Sequence, residues 1–282
     1  MGVSSYNITA AAFQRDRAQD YELSILTGMD SFAYILRDRA RNSLLAYFSH
    51  ALTAGEQLDW PRAFNTLVQA DDKLRQLSFG TVVLGWETPR FTLVPNALYD
   101  PAQQRNYLEQ LTVVGLEDEV RAETFNEMEA ELLFATPADR IGAVERRLRT
   151  RRTHHVAGGL LTAWGARSRR LGHPSVSAAL RGQRLLVAGH RNGKLLFFNS
   201  FSYATAQDAL YYLLLAYQQC GFGPDRVPLY LCGEITPHAD LYRHFYRYVE
   251  DIRFCQYGAP PSTPPELAGL PEHLYFELLC LG

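Results

Sequence analysis

After a polar start, the chain breaks into short apolar runs divided by polar turns. Tyr21–Leu26 and Phe32–Arg37 are separated by Gly28-Met29-Asp30, and the turn at Asp38–Asn42 leads into a third run, Ser43-Leu44-Leu45-Ala46-Tyr47-Phe48-Ser49. Alternation punctuated in this way predicts an antiparallel meander. A helix is predicted near Asp59, with Pro61 in its first turn and Phe64, Leu67 and Val68 on one face. Thr81–Trp86, a turn at Glu87-Thr88-Pro89 and Phe91–Val94 read as further strands, and Asp100-Pro101 opens a helix through Leu108 and Leu111.

The same pattern returns in the second half. Val176–Leu180, Arg184–Ala188 and Lys194–Asn199 are three strand-like runs, and Asn192-Gly193 between the last two is a hairpin signal because both turn residues need positive φ. Thr205-Ala206-Gln207-Asp208 reads as a capping box opening a helix over Ala209, Leu210, Leu213, Leu214 and Tyr217, with Gly221 as its stop. Leu229–Gly233 reads as a buried strand, Thr236-Pro237 as the cap of a helix bearing Leu241, Phe245 and Val249, and Ile252–Tyr257 as a closing strand. Tyr21 and Val176 are 155 residues apart and Leu44 and Leu195 are 151 apart. A near-constant offset of this size means paired domains, because solenoid units are only about 20–50 residues long. The division predicted is a polar arm over 1–20, a first lobe over 21–150 and a second over 151–282.

Between the copies, charge is unevenly spread. Glu117–Glu131 is acidic, and within it Glu131–Ala135 reads as a strand; Pro137–Leu148 reads as a helix, and Arg140–Arg170 is rich in arginine. The arginines read as a solvated face complementing the acidic stretch, since no aromatic residues alternate with them as in a nucleic-acid site. Over the whole chain of 282 residues the formal net charge is −2, and 47% of residues are hydrophobic, which fits a two-lobed globular protein. No apolar run approaches membrane length and no export pattern is present at the start, so the expectation is a cytoplasmic protein with no membrane partner. Cys220, Cys232, Cys255 and Cys280 are widely spaced with no C-x-x-C pair, so they read as reduced core thiols and not as a zinc site.

Three antiparallel strands followed by helix, strand, helix and strand is the order of a ribonuclease-H-like unit, and two in tandem make an α/β protein of the actin-like ATPase superfold. The second half, through Lys194-Leu195-Leu196-Phe197-Phe198-Asn199-Ser200-Phe201-Ser202-Tyr203, Asp208-Ala209-Leu210-Tyr211-Tyr212 and Leu229-Tyr230-Leu231-Cys232-Gly233-Glu234-Ile235, resembles an uncharacterised bacterial family of unknown function with this actin-like fold. The resemblance runs over roughly 176–254. It implies nucleotide held by two phosphate hairpins, each with an aspartate and a glycine, and by a Gly-Gly loop at the adenosine, where tight glycine turns bring backbone amides to phosphate and the aspartates hold Mg²⁺ through water.

Set against that pattern, the first hairpin has Gly28 and Asp30 but no aspartate ahead of the glycine; the second has Arg181-Gly182; the adenosine position has Gly233-Glu234 with a single glycine. The leading reading is therefore a degenerate member and pseudo-enzyme, with no metal or cofactor expected. It would act as a non-catalytic binding or scaffold protein engaging an unidentified protein through the interlobe cleft or the aromatic helix at Tyr242, Phe245, Tyr246 and Tyr248. The alternative is a nucleotide-binding ATPase or kinase taking ATP and Mg²⁺ at Gly28, Asp30, Arg181, Gly182, Gly233 and Glu234, with Arg181 supplying charge in place of metal. A third reading, a nucleic-acid factor using Arg146–Arg170, ranks below both. Gly189–Lys194 sits in a hairpin and not before a helix, so it is not a phosphate loop. Adjacent His154-His155 point apart and cannot share a metal. Asp71-Asp72 and Glu127, Glu129 and Glu131 read as solvated carboxylates.

Overall fold

The computed structural model describes residues 5–148 and 152–282, with Glu127 described by its backbone alone. The chain divides into two units, one of Met1–Gly158 with Pro261–Gly269 and Leu281–Gly282, the other of Gly159–Pro260 with Leu270–Cys280. The lobe boundary read between residues 150 and 151 falls outside the described residues.

The first unit comprises β1 (Tyr6–Thr9), β2 (Tyr21–Thr27), β3 (Ser31–Asp38), β4 (Ser43–Ala51), α1 (Ala54–Leu58), α2 (Trp60–Ala70), α3 (Asp72–Gln76), β5 (Thr81–Trp86), β6 (Phe91–Pro95), α4 (Gln104–Glu109), β7 (Asp118–Phe125), β8 (Ala130–Pro137), α5 (Ala138–Leu148) and β9 (Arg152–His155). Its main sheet runs β1-β4-β3-β2-β5-β9, and β6, β8 and β7 make a separate three-stranded sheet inserted between β5 and β9. The segment read as a polar arm supplies β1, which pairs antiparallel with β4 from Tyr6 opposite Ser49 to Thr9 opposite Ala46. Helix α2 starts where the sequence places it, because the Asp59 carboxylate accepts from the Arg62 amide at 3.3 Å and Pro61 lies in the first turn. Trp60, Phe64 and Val68, one turn apart, are its buried face.

The second unit holds most of α6 (Val156–Leu171), then β10 (Ser175–Arg181), β11 (Arg184–Arg191), β12 (Lys194–Ser202), α7 (Ala206–Cys220), β13 (Leu229–Gly233), α8 (Asp240–Tyr246), β14 (Ile252–Phe254) and α9 (Phe276–Leu279). Its sheet runs β12-β11-β10-β13-β14. Leaving aside β1, both sheets therefore place their strands third-second-first-fourth-fifth, with the first three antiparallel and the fourth and fifth parallel to the first. The duplication extends to a defect. The ladder slips between Leu36 and Arg37 in one unit and between Gly189 and His190 in the other, each time two rungs from the hairpin turn. Val176, Leu180, Leu213, Leu229, Leu231 and Phe245 form the second unit's core, where each buried side chain contributes about 1.5–3 kcal/mol.

Several local expectations hold in detail. Asn192 and Gly193 adopt φ of 53° and 82°, Thr205 and Asp208 make the reciprocal capping box, and Gly221 ends α7 at φ 65°. Others differ. Helix α8 begins at Asp240 and not at Thr236-Pro237, because Thr236 is spent on a turn closed by the Ala239 amide at 3.0 Å. The acidic stretch forms β7, whose alternating half-exposed pattern hides its strand character beneath charge. Asp71 is buried; it caps α3 and accepts a hydrogen bond from Tyr34, while Glu131 is buried in β8 and accepts from Thr124 at 3.1 Å. The side chain of Glu127 lies outside the described residues. Among the described residues no helix is long and apolar enough to cross a membrane.

His190, at the slipped rung of β11, is 1% exposed. Burial, with a smaller contribution from the Arg167 charge, lowers its pKa from 6.5 to about 4. The unfolded chain therefore binds a proton that the folded chain refuses, and stability falls as pH drops from about 6.5 towards 4. At about 1.4 kcal/mol per pH unit the loss is on the order of 3 kcal/mol. Urea titrations at pH 7 and pH 4 should show that part of the acid sensitivity removed in His190→Gln.

Candidate functional site

The mouth of the β10–β11 hairpin is built by the strand beside it. Parallel β13 lies on β10 with Gly233 opposite Leu180. Gly233 has φ +84°, and a Cβ there would sit 2.1 Å from the Leu180 carbonyl, so only glycine lets the chain turn at this point. The turn brings the Glu234 amide onto the Leu180 carbonyl at 2.6 Å and sends the Glu234 carboxylate back across the hairpin. One oxygen accepts from the Gly182 amide at 3.1 Å and the other pairs with Arg181 Nη1 at 3.3 Å. Arg181 Nη2 pairs with the Glu277 carboxylate of α9 at 2.7 Å. Arg181 is 4% exposed and Glu277 1%.

Two neighbours close this cradle. Tyr203 donates its hydroxyl to the Gly182 carbonyl at 2.9 Å, and burial, helped by the Glu234 charge, pushes its pKa up to about 12. His273 donates Nε2–H to the Ile235 carbonyl at 2.7 Å; burial lowers its pKa, opposed by that hydrogen bond.

The first unit repeats the backbone and changes the chemistry. Trp86 lies opposite Thr27, and the Glu87 amide donates to the Thr27 carbonyl at 2.8 Å, the counterpart of the Glu234 bond. Gly28 takes the rung of Arg181; a Cβ on it would meet Glu87 Oε2 at 2.8 Å and Asp30 Oδ1 at 3.6 Å. Trp60 donates its indole N–H to the Gly28 carbonyl at 3.1 Å and stacks on Phe64, fixing the hairpin to α2. Beside it, His155 hydrogen-bonds the Thr88 carbonyl through Nε2 at 3.0 Å and accepts the Ala157 amide at Nδ1, its ring between Phe91 and Phe134. His154 contacts Glu123 instead, at 3.4 Å. Among the described residues no cluster of three or more metal-ligating side chains occurs.

The six predicted positions thus fall into two groups: Arg181, Gly182, Gly233 and Glu234 form one cradle in the second unit, while Gly28 and Asp30 share a hairpin in the first. Sequence reasoning missed Glu277 and Tyr203, which come from distant segments, and Glu87, which a rung-by-rung alignment of the two copies would have matched to Glu234. The arginine stretch is divided: Arg146, Arg169 and Arg170 are exposed, Arg167 is buried, and Arg149 and Arg151 lie outside the described residues. On α8, Leu241 and Phe245 are buried, Tyr242 stacks on Tyr246 and Phe254, and Tyr246 is 65% exposed.

The sequence model of a family described as "Protein of unknown function (DUF3822)" matches residues 10–252. The chain belongs to the DUF3822 family. No curated protein matches the sequence. Among solved structures, the DUF3822 chain is similar to a Bacteroides thetaiotaomicron VPI-5482 protein with actin-like ATPase fold and unknown function, at a TM-score of 0.77 and 18% identity over 87% of this chain and 94% of that one. It is also similar to a PilM-PilN type IV pilus biogenesis complex chain, at a TM-score of 0.61 and 12% identity over 92% of this chain and 97% of that one. The first of these likenesses shows the actin-like fold.

Truncating Arg181 leaves two carboxylates facing a buried site with no cation, which costs about 3–5 kcal/mol for a broken buried pair. Urea denaturation of Arg181→Ala should show a loss of that size, and Arg181→Met combined with Glu277→Leu should recover most of it.

Proposed function

We propose that this DUF3822 protein is a non-catalytic member of the actin-like fold, a cytoplasmic binding or scaffold protein that engages another protein and does not turn over ATP. The observation carrying this reading is the cradle at the second hairpin. The Gly182 amide and the Arg181 guanidinium, the groups a phosphate would take there, are already engaged by the chain's own Glu234 and Glu277 carboxylates. A phosphate at this point would have to displace Glu234 and stand beside its charge. In the first unit, Glu87 crowds Gly28 in the same position.

Protein binding is supported by the surface of α8 and the turn after it, where Tyr246 and Tyr248 are 65% and 56% exposed. Tyrosine is enriched in protein interfaces. The solved PilM-PilN structure is itself described as a complex, which gives the fold a precedent for that use.

Thermal unfolding with and without millimolar ATP, ADP and Mg²⁺ tests the reading, because a ligand held only by the folded chain raises its apparent stability. The expected result is an unchanged midpoint with each; a rise of several degrees overturns the non-catalytic reading. Tyr246→Ala with Tyr248→Ala should leave stability within about 0.5 kcal/mol while removing a protein that the wild type captures from an extract of its source cells.

A further inference from the structure

Arg167 on α6 is a buried guanidinium, 7% exposed, with no carboxylate within ion-pair distance among the described residues. Its guanidinium carbon lies 3.9 Å from the centre of the Tyr230 ring, Nη2 donates to the Ser177 hydroxyl, and Nη1 points at Cys255 Sγ from 3.2 Å. A buried charge needs compensation, and Cys255 is the titratable group that accepts from this guanidinium. Burial raises the Cys255 thiol's pKa, but the neighbouring Cys232 thiol and the Arg167 charge and hydrogen bond outweigh it and bring it down from 9.0 to about 7.

The neighbour is set by the sheet. Leu231 of β13 faces Phe254 of β14, and the Cys255 amide continues the ladder onto the Leu231 carbonyl at 2.7 Å, so Cys232 and Cys255 follow as the next pair on adjacent parallel strands. Neighbouring strands lie about 4.8 Å apart, within the range that a disulfide bridges. Cys232 is fully buried and donates weakly to the Ala178 carbonyl at 3.7 Å. Burial first, then Cys255, Glu277 and Cys280, hold its pKa well above the ordinary thiol value. The Cys255 sulfur thus lies against a guanidinium and the Cys232 sulfur against a backbone carbonyl, the asymmetry expected of an attacking and a resolving cysteine.

We propose that Cys255 and Cys232 form a reversible redox site, oxidised by hydrogen peroxide to a disulfide that joins β13 to β14. In the first step the Cys255 thiolate attacks one peroxide oxygen, the O–O bond breaks, and the departing hydroxide takes a proton to become water, leaving Cys255 as a sulfenic acid. In the second step Cys232 sulfur attacks Cys255 sulfur, the S–O bond breaks, and the leaving hydroxide takes the Cys232 proton as a second water. The two sulfurs lose two electrons and the peroxide gains them; a dithiol reductant reverses the change.

The full-length reduced protein treated with hydrogen peroxide should lose two hydrogens by intact mass, and peptide mapping should find Cys232 joined to Cys255. Cys232→Ser should stop at the sulfenic acid, trapped by dimedone on Cys255. Arg167→Met should slow oxidation at pH 7 by about fivefold, the net of a smaller thiolate fraction and a more nucleophilic thiolate, and move the pH profile of the rate upward from about 7. A folded wild type that stays reduced while the urea-unfolded chain oxidises overturns the proposal, as does a bond from Cys255 to Cys280. If Arg167→Met does not fold, the dimedone result on Cys232→Ser decides alone: label on Cys255 supports the site, and its absence overturns it.

Discussion

In both units, the parallel pairing of a central strand with the first strand of the meander fixes where everything else goes. The pairing ends on one backbone hydrogen bond, Glu234 N–H to Leu180 in the second unit and Glu87 N–H to Thr27 in the first. A parallel ladder has no local turn to set its register, so the register rests on the buried apolar residues of each strand and on this last bond. Once it is set, a glutamate side chain necessarily lies across the mouth of the adjoining hairpin.

From that constraint the two units diverge by what stands opposite the glutamate. An arginine occupies the rung in the second unit, and the further carboxylate of Glu277 completes an ion-paired cluster in which Arg181 and Glu277 are almost wholly dehydrated and Glu234 is half-buried. Such a cluster is weak evidence for stability, since desolvating the charges offsets most of their attraction, yet it is intolerant of losing any one member. In the first unit a glycine occupies the rung and the space is taken by the glutamate itself, while the indole of Trp60 holds the glycine's carbonyl. One backbone scheme thus supports a charged plug in one unit and an aromatic brace in the other.

The sequence disclosed most of what depends on local periodicity. The meander strands alternate cleanly, Asn192-Gly193 states its turn outright, and the duplication follows from spacing. What stayed hidden depends on contacts between distant segments. Strand β7 carries Asp118, Glu119 and Glu123 among few apolar residues, so its period is masked, and α6 is obscured by Gly158-Gly159 and by arginines that look solvated. Arg167 belongs to that run of arginines, yet it turns inward and meets a cysteine 88 residues away. Glu277 lies 96 residues from Arg181. Spacing in the chain carries no trace of either meeting. Of the candidate site, the hairpin glycines and Arg181 could be named from the sequence, but whether a phosphate or a carboxylate lies against them could not.

The slipped rung shared by the two hairpins bears on how each strand curves. A bulge inserts one residue into a strand and bends it, and a ladder keeps one only where its surroundings have adapted to the added twist. Finding it at the same step from the turn in both units, after Arg37–Leu44 in one and His190–Leu195 in the other, means that each meander takes its extra bend at the corresponding point of its third strand.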